Sequence, residues 1–67
     1  MDIDEMVIET EKELNTLKAN LELFKRMEFS PKYIKKTEKK IQKLEKQLCQ
    51  FKFLEKMLKF SVEELFN

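Results

Sequence analysis

The sequence has no glycine, no histidine and no tryptophan, and only one cysteine and one proline. Each absence excludes something. Without glycine, the tight turns that join β-strands lose their usual residue, so a sheet-rich fold is disfavoured. The single thiol, Cys49, has no second cysteine for an internal disulfide. One thiol without histidine cannot assemble a zinc site, and nothing in the sequence implies a metal or cofactor. The longest apolar run is three residues, Met6 to Ile8, against the roughly 20 needed to cross a membrane. The acidic opening, "MDIDE", does not read as a signal peptide. A reducing, cytoplasmic setting is therefore expected.

What remains is a chain of 67 residues, 40% of them charged. That length supports one domain at most, near the lower limit for a chain that folds alone. Chains of this size commonly add a disulfide, a metal or a second subunit. With the first two excluded, association with a partner is the route left open.

The hydrophobic spacing is regular. Ile3, Val7, Thr10, Leu14, Leu17, Leu21 and Phe24 follow alternating steps of four and three. Ile34, Thr37, Ile41, Leu44, Leu48 and Phe51 do the same. These are two heptad seams, each broken once by threonine. Asp2, with Glu5 three residues later, suits the cap of a first helix. Ser30 followed by Pro31 suits the start of a second, with Phe29 and Ile34 placed as a hydrophobic staple. Pro31 disfavours helical geometry at Ser30, so the first helix should stop near Met27 or Glu28. The expectation is an all-α, coiled-coil-like antiparallel hairpin forming a single domain over residues 1–67. Its parts are a helix over about 3–27, a turn over about 28–30, a helix over about 31–59, and a tail over 60–67.

A short connection makes the helices antiparallel neighbours and fixes a register. In it Phe24 opposes Ile34, Leu17 opposes Ile41, Leu14 opposes Leu44 and Val7 opposes Phe51. Each threonine then faces a leucine, Thr10 with Leu48 and Thr37 with Leu21. One flank pairs Met6 with Leu54, Glu13 with Gln47, Asn20 with Lys40 and Met27 with Tyr33. On the other flank the nearer pairs include a clash, Glu11 with Glu45. The farther diagonals, Asp4 with Lys59, Glu11 with Lys52, Lys18 with Glu45 and Lys25 with Glu38, are all opposite in sign. In this reading Phe51 and Leu54 belong to the hairpin core, and pairing ends where Ile3 meets Glu55.

Beyond that point Met57, Leu58, Phe60, Val62, Leu65 and Phe66 have nothing opposite them. They form the candidate partner or dimer interface, and dimerisation into a helical bundle would complete the fold. "SVEE", Ser61 to Glu64, has the form of a capping box, which also allows a short third helix folding back over the open end. Straight continuation of the second helix competes with it, since neither glycine nor proline intervenes.

No residue pattern points to catalysis. Without histidine, a nucleophile would need a carboxylate or lysine base in a pocket that two helices hardly provide. The chain is therefore expected to be no enzyme and to have no small-molecule substrate. Cys49, beside the seam, should be half exposed and inert. Charge is more informative. Residues 1–30 carry eight acids and four bases, whereas residues 31–59 carry three acids and ten lysines. Lys32, Lys35, Lys36, Lys39, Lys43 and Lys46 share the outer face of the second helix and form a candidate basic contact face. That stripe lacks arginine and interleaved aromatics, which weighs towards a solvated face over a nucleic-acid site.

The plan of two antiparallel helices, the second opened by "FSPKYIKK", resembles the small aspartyl-phosphate phosphatases of sporulating bacteria. Their second helix carries a Ser-x-x-Leu-Asp signature. The matching stretch here, Thr37 to Ile41, reads "TEKKI" and lacks both leucine and aspartate, so the resemblance implies the fold and not that activity. The plan is also similar in length and shape to the small helical-hairpin chaperones of type III secretion needles. The functional expectation is a non-enzymatic protein-protein interaction module that regulates, inhibits or chaperones another protein, binding that protein, a second copy of itself, or both. The alternative is a nucleic-acid-associated factor using the lysine face.

Overall fold

A computed structural model describes the backbone of residues 2–66 and the side chains of residues 2–60. Two helices make up the fold, α1 (Ile3–Arg26) and α2 (Pro31–Phe66), packed side by side as an antiparallel hairpin. At 1.5 Å per residue they measure about 36 and 54 Å. The molecule's longest dimension is 56 Å, so α2 alone sets it.

Local chemistry defines the helix ends. The Asp2 carboxylate accepts a hydrogen bond from the Glu5 N–H at 2.8 Å, which caps α1. Acidic Asp4 and Glu5 in the first turn, with basic Lys25 and Arg26 in the last, complement the helix dipole. At the other end the Phe29 N–H reaches back to the Phe24 carbonyl and the Glu28 N–H to the Lys25 carbonyl. This pattern closes a helix through one left-handed residue, a place usually taken by glycine. Here it is Glu28, at φ 54°. Phe29, placed by the sequence as a staple for Ile34, stacks on Phe24. The carbonyl of Ser30 accepts from Tyr33 and Ile34 and opens α2.

The two seams form the helix interface. Every seam residue is buried or half-buried, with Val7, Thr10, Leu14 and Ile41 the most enclosed. The threonines fit because each hydroxyl donates to its own helix. Thr10 donates to the Met6 carbonyl at 2.7 Å, and Thr37 donates to the Tyr33 carbonyl at 3.0 Å. Their methyl groups remain to face the opposite leucine, and no buried side-chain polar atom among the described residues lacks a partner.

Among the described residues the charged flank forms two of its four expected diagonal pairs, and Asp4–Lys59 and Lys25–Glu38 are not among them. Lys18 pairs with Glu45 at 3.5 Å and Lys52 with Glu11 at 3.3 Å. The nearer pairing would have set Glu11 against Glu45, and the lysines bridge past it. These exposed pairs contribute little energy, and their positions agree with the diagonal alignment.

Two expectations are corrected. The second helix does not stop near residue 59; α2 continues through Ser61 to Phe66, with no third helix among the described residues. The capping box at Ser61 is overridden because the preceding turns already supply its N–H groups with carbonyl partners. Leu54, assigned to the core, is 48% exposed, because its flank position has a neighbour on one side only. Cys49 is exposed beside the seam.

Candidate protein interface

Pairing of α1 with α2 ends at the level of Glu55, where the first turn of α1 begins. Asp4 lies there and hydrogen-bonds Glu55, which raises the Glu55 carboxyl above its ordinary range. Partial desolvation and the negative charges of Asp4 and Glu11 push the same way, while Lys59 opposes them. From residue 56 to 66 α2 projects past the hairpin for about 16 Å.

Three of the five described side chains of the overhang are apolar and exposed. Met57 is 52% exposed, Leu58 55% and Phe60 63%. The sequence reading missed Phe53, also 63% exposed, which lies one turn before Met57 and two before Phe60. With Leu54 these form a ridge of five large side chains at spacings of three and four. The signal was present in that spacing, but Phe53 sits where α1 still runs alongside and was not tested against the opposite helix. The side chains of Val62, Leu65 and Phe66, the other three residues of the expected interface, lie outside the described residues.

The edges of the hairpin differ chemically. One is closed by the Lys18–Glu45 and Lys52–Glu11 ion pairs. Along the other lie Met6, Asn20 and Met27 of α1 with Tyr33, Gln47 and Leu54 of α2, and no ion pair among the described residues joins the helices there. Met27 and Tyr33 are each 60% exposed at the turn end of this edge. A shallow groove lined by Tyr33, Lys36, Thr37 and Lys40 opens beside them.

Lys32, Lys35, Lys36, Lys39, Lys43 and Lys46 are all exposed on one side of α2. Lys39, Lys43 and Lys46 border a second shallow groove with Gln42. Both grooves belong to one helix and enclose no cavity. Among the described residues no group of three or more histidine, cysteine, aspartate or glutamate side chains is arranged to hold a metal. No helix among them is long and apolar enough to cross a membrane.

The total surface is that of an extended chain. A compact monomer of 8.2 kDa exposes about 4,500 Å², whereas this chain exposes 5959 Å². Its radius of gyration is 16.2 Å, against about 11 Å for a compact chain of this length. No described side chain is less than 2% exposed. The excess of about 1,400 Å² exceeds the roughly 800 Å² that each partner contributes to a standard protein interface.

Comparison with family models, with curated proteins and with solved structures returned no match.

Proposed function

We propose that the chain is a non-enzymatic protein-protein interaction module whose projecting end of α2 is the contact surface. Such a module regulates, inhibits or chaperones its partner by occupying a surface, with no chemistry of its own. The observation that carries this reading is the exposed ridge of Phe53, Leu54, Met57, Leu58 and Phe60, which runs from the end of the paired region onto the projecting end of α2. A contiguous apolar ridge of this kind is unusual on a monomer in water and marks an interaction site. Burying a large apolar side chain is worth roughly 1.5–3 kcal/mol, more than exposed charge pairs offer.

The second reading is binding of nucleic acid by the lysine stripe, favoured by one observation. Tyr33 lies in the same groove as Lys36 and Lys40, within reach of a base stacked beside phosphates. Against it, that stripe has one ring and no arginine.

Parallel affinity purification from the native host separates the two. Wild type, Leu58→Asp with Phe60→Asp, and Lys36→Gln with Lys39→Gln and Lys43→Gln are compared. A defined protein retained by the wild type and by the glutamine variant, and lost from the aspartate variant, supports the contact surface. Retention that follows the lysines and weakens steeply with salt transfers the proposal to nucleic acid.

A further inference from the structure

We infer that the open edge of the hairpin docks a second copy of the same chain running antiparallel, so that each copy's projecting end covers the other's turn end. This rests on the interaction-module reading and identifies one partner for it. The surplus surface is large enough for the contact, and the ion-paired edge leaves the Met6–Leu54 edge as the side available. That edge is apolar at both of its ends, Leu54 at one and Met27 with Tyr33 at the other, with Glu13, Asn20, Lys40 and Gln47 between. A patch with matching apolar ends and a polar middle is self-complementary under a two-fold axis crossing the hairpin.

Charge selects the antiparallel direction. Glu5, Glu9 and Glu13 lie one turn apart on α1, exposed on the side of this edge near the open end. Lys36, Lys40 and Lys43 are exposed on α2 nearer the turn. Seating Leu54 against the second copy's Tyr33 brings Gln47 level with its Lys40. The same alignment brings Glu9 and Glu13 level with the second copy's Glu38 and Gln42. Glu9 then falls between Lys36 and Lys40, and Glu13 between Lys40 and Lys43. A parallel arrangement would put the two acidic ends together and leave both lysine stretches unpaired. The groove of Tyr33, Lys36, Thr37 and Lys40 lies where the incoming Leu54 would settle.

Two experiments test this, each on the full chain with Cys49→Ser. Leu54→Cys and Tyr33→Cys are made singly and together. Within one chain the two positions are about 31 Å apart along α2, beyond disulfide reach, so any bond joins two molecules. The double variant should give covalent dimers at least about tenfold faster than either single variant. Dimerisation of Leu54→Cys alone at the same rate would overturn the antiparallel alignment. In the second experiment Glu9→Lys with Glu13→Lys, and Lys36→Glu with Lys40→Glu, should each weaken self-association by roughly tenfold. Mixing the two should restore it, because every reversed charge then meets an opposite one. Failure of the mixture to recover overturns the charge pairing. A chain that is monomeric throughout overturns the inference while leaving the affinity-purification outcome unaffected.

Discussion

The ring of Phe29 stacks on the ring of Phe24, with centroids 4.7 Å apart and planes inclined by 12°. The contact joins the residue after the turn to the last seam residue of α1, and it accompanies the hydrogen bonds that close the helix. It holds the left-handed Glu28 in place between them. A side chain in that conformation costs about 1 kcal/mol relative to glycine. Glu28→Gly should therefore stabilise the hairpin by about 1 kcal/mol, raising the melting temperature by roughly 4–8 °C. Thermal unfolding by circular dichroism checks it. An unchanged or lowered midpoint would show that Glu28 is not strained.

The register makes a second prediction. In the register read from the two seams Leu14 lies opposite Leu44, and the structure leaves both wholly or partly enclosed. With Cys49 replaced by serine, Leu14→Cys with Leu44→Cys should form an intramolecular disulfide, which needs Cα atoms about 4.4–6.8 Å apart. More efficient closure of Leu14→Cys onto a cysteine at Thr37 or Phe51 would contradict the alignment.

Seam chemistry makes a third. Leu14 is 6% exposed, so Leu14→Ala should cost about 2–5 kcal/mol and melt the isolated chain. Thr10→Val should act in the other direction, by about 0.5–1 kcal/mol, because the Thr10 hydroxyl is already satisfied within its helix. Urea titration of both variants reads the two signs. Destabilisation by valine would mean that the hydroxyl contributes across the interface.

The carboxyl pair at the open end predicts a pH effect. Glu55 has a raised folded-state pKa, chiefly through its hydrogen bond with Asp4. Its stabilising contribution is therefore complete below the ordinary carboxylate range and is lost as pH rises through the raised value. At neutral pH the two carboxylates repel. Glu55→Gln should melt above the wild type at neutral pH, and the difference should vanish in acid, where Glu55 is itself protonated. An equal difference at both pH values would assign the effect to something other than ionisation.

The parts of this fold that were legible in the sequence are those that periodicity encodes. Seam residues from Ile3 to Phe24 and from Ile34 to Phe51 repeat every three to four positions, and the structure encloses every one. Two of the four diagonal ion pairs, Lys18–Glu45 and Glu11–Lys52, were legible too, because that choice avoids setting Glu11 against Glu45. Glu28 was not, since glutamate carries no preference for a left-handed turn and takes one only when both helices demand it. Ser61 misled because a capping box is a local signal that a continuing helix outcompetes. Leu54 misled because pairing along a flank says which residues are level, not whether two helices suffice to cover them.

In the inferred dimer, a second copy of the chain completes the hairpin by covering the projecting end of α2. Sedimentation equilibrium of the full chain, from low to high micromolar concentration, tests it most directly. The variant Leu58→Asp with Phe60→Asp is run beside it. The expected result is a wild-type dimer that persists in high salt, as burial of apolar surface should, and a variant that sediments as a monomer with its helices intact. A wild type that stays monomeric across the whole range, or a variant that associates as well as the wild type, would contradict it.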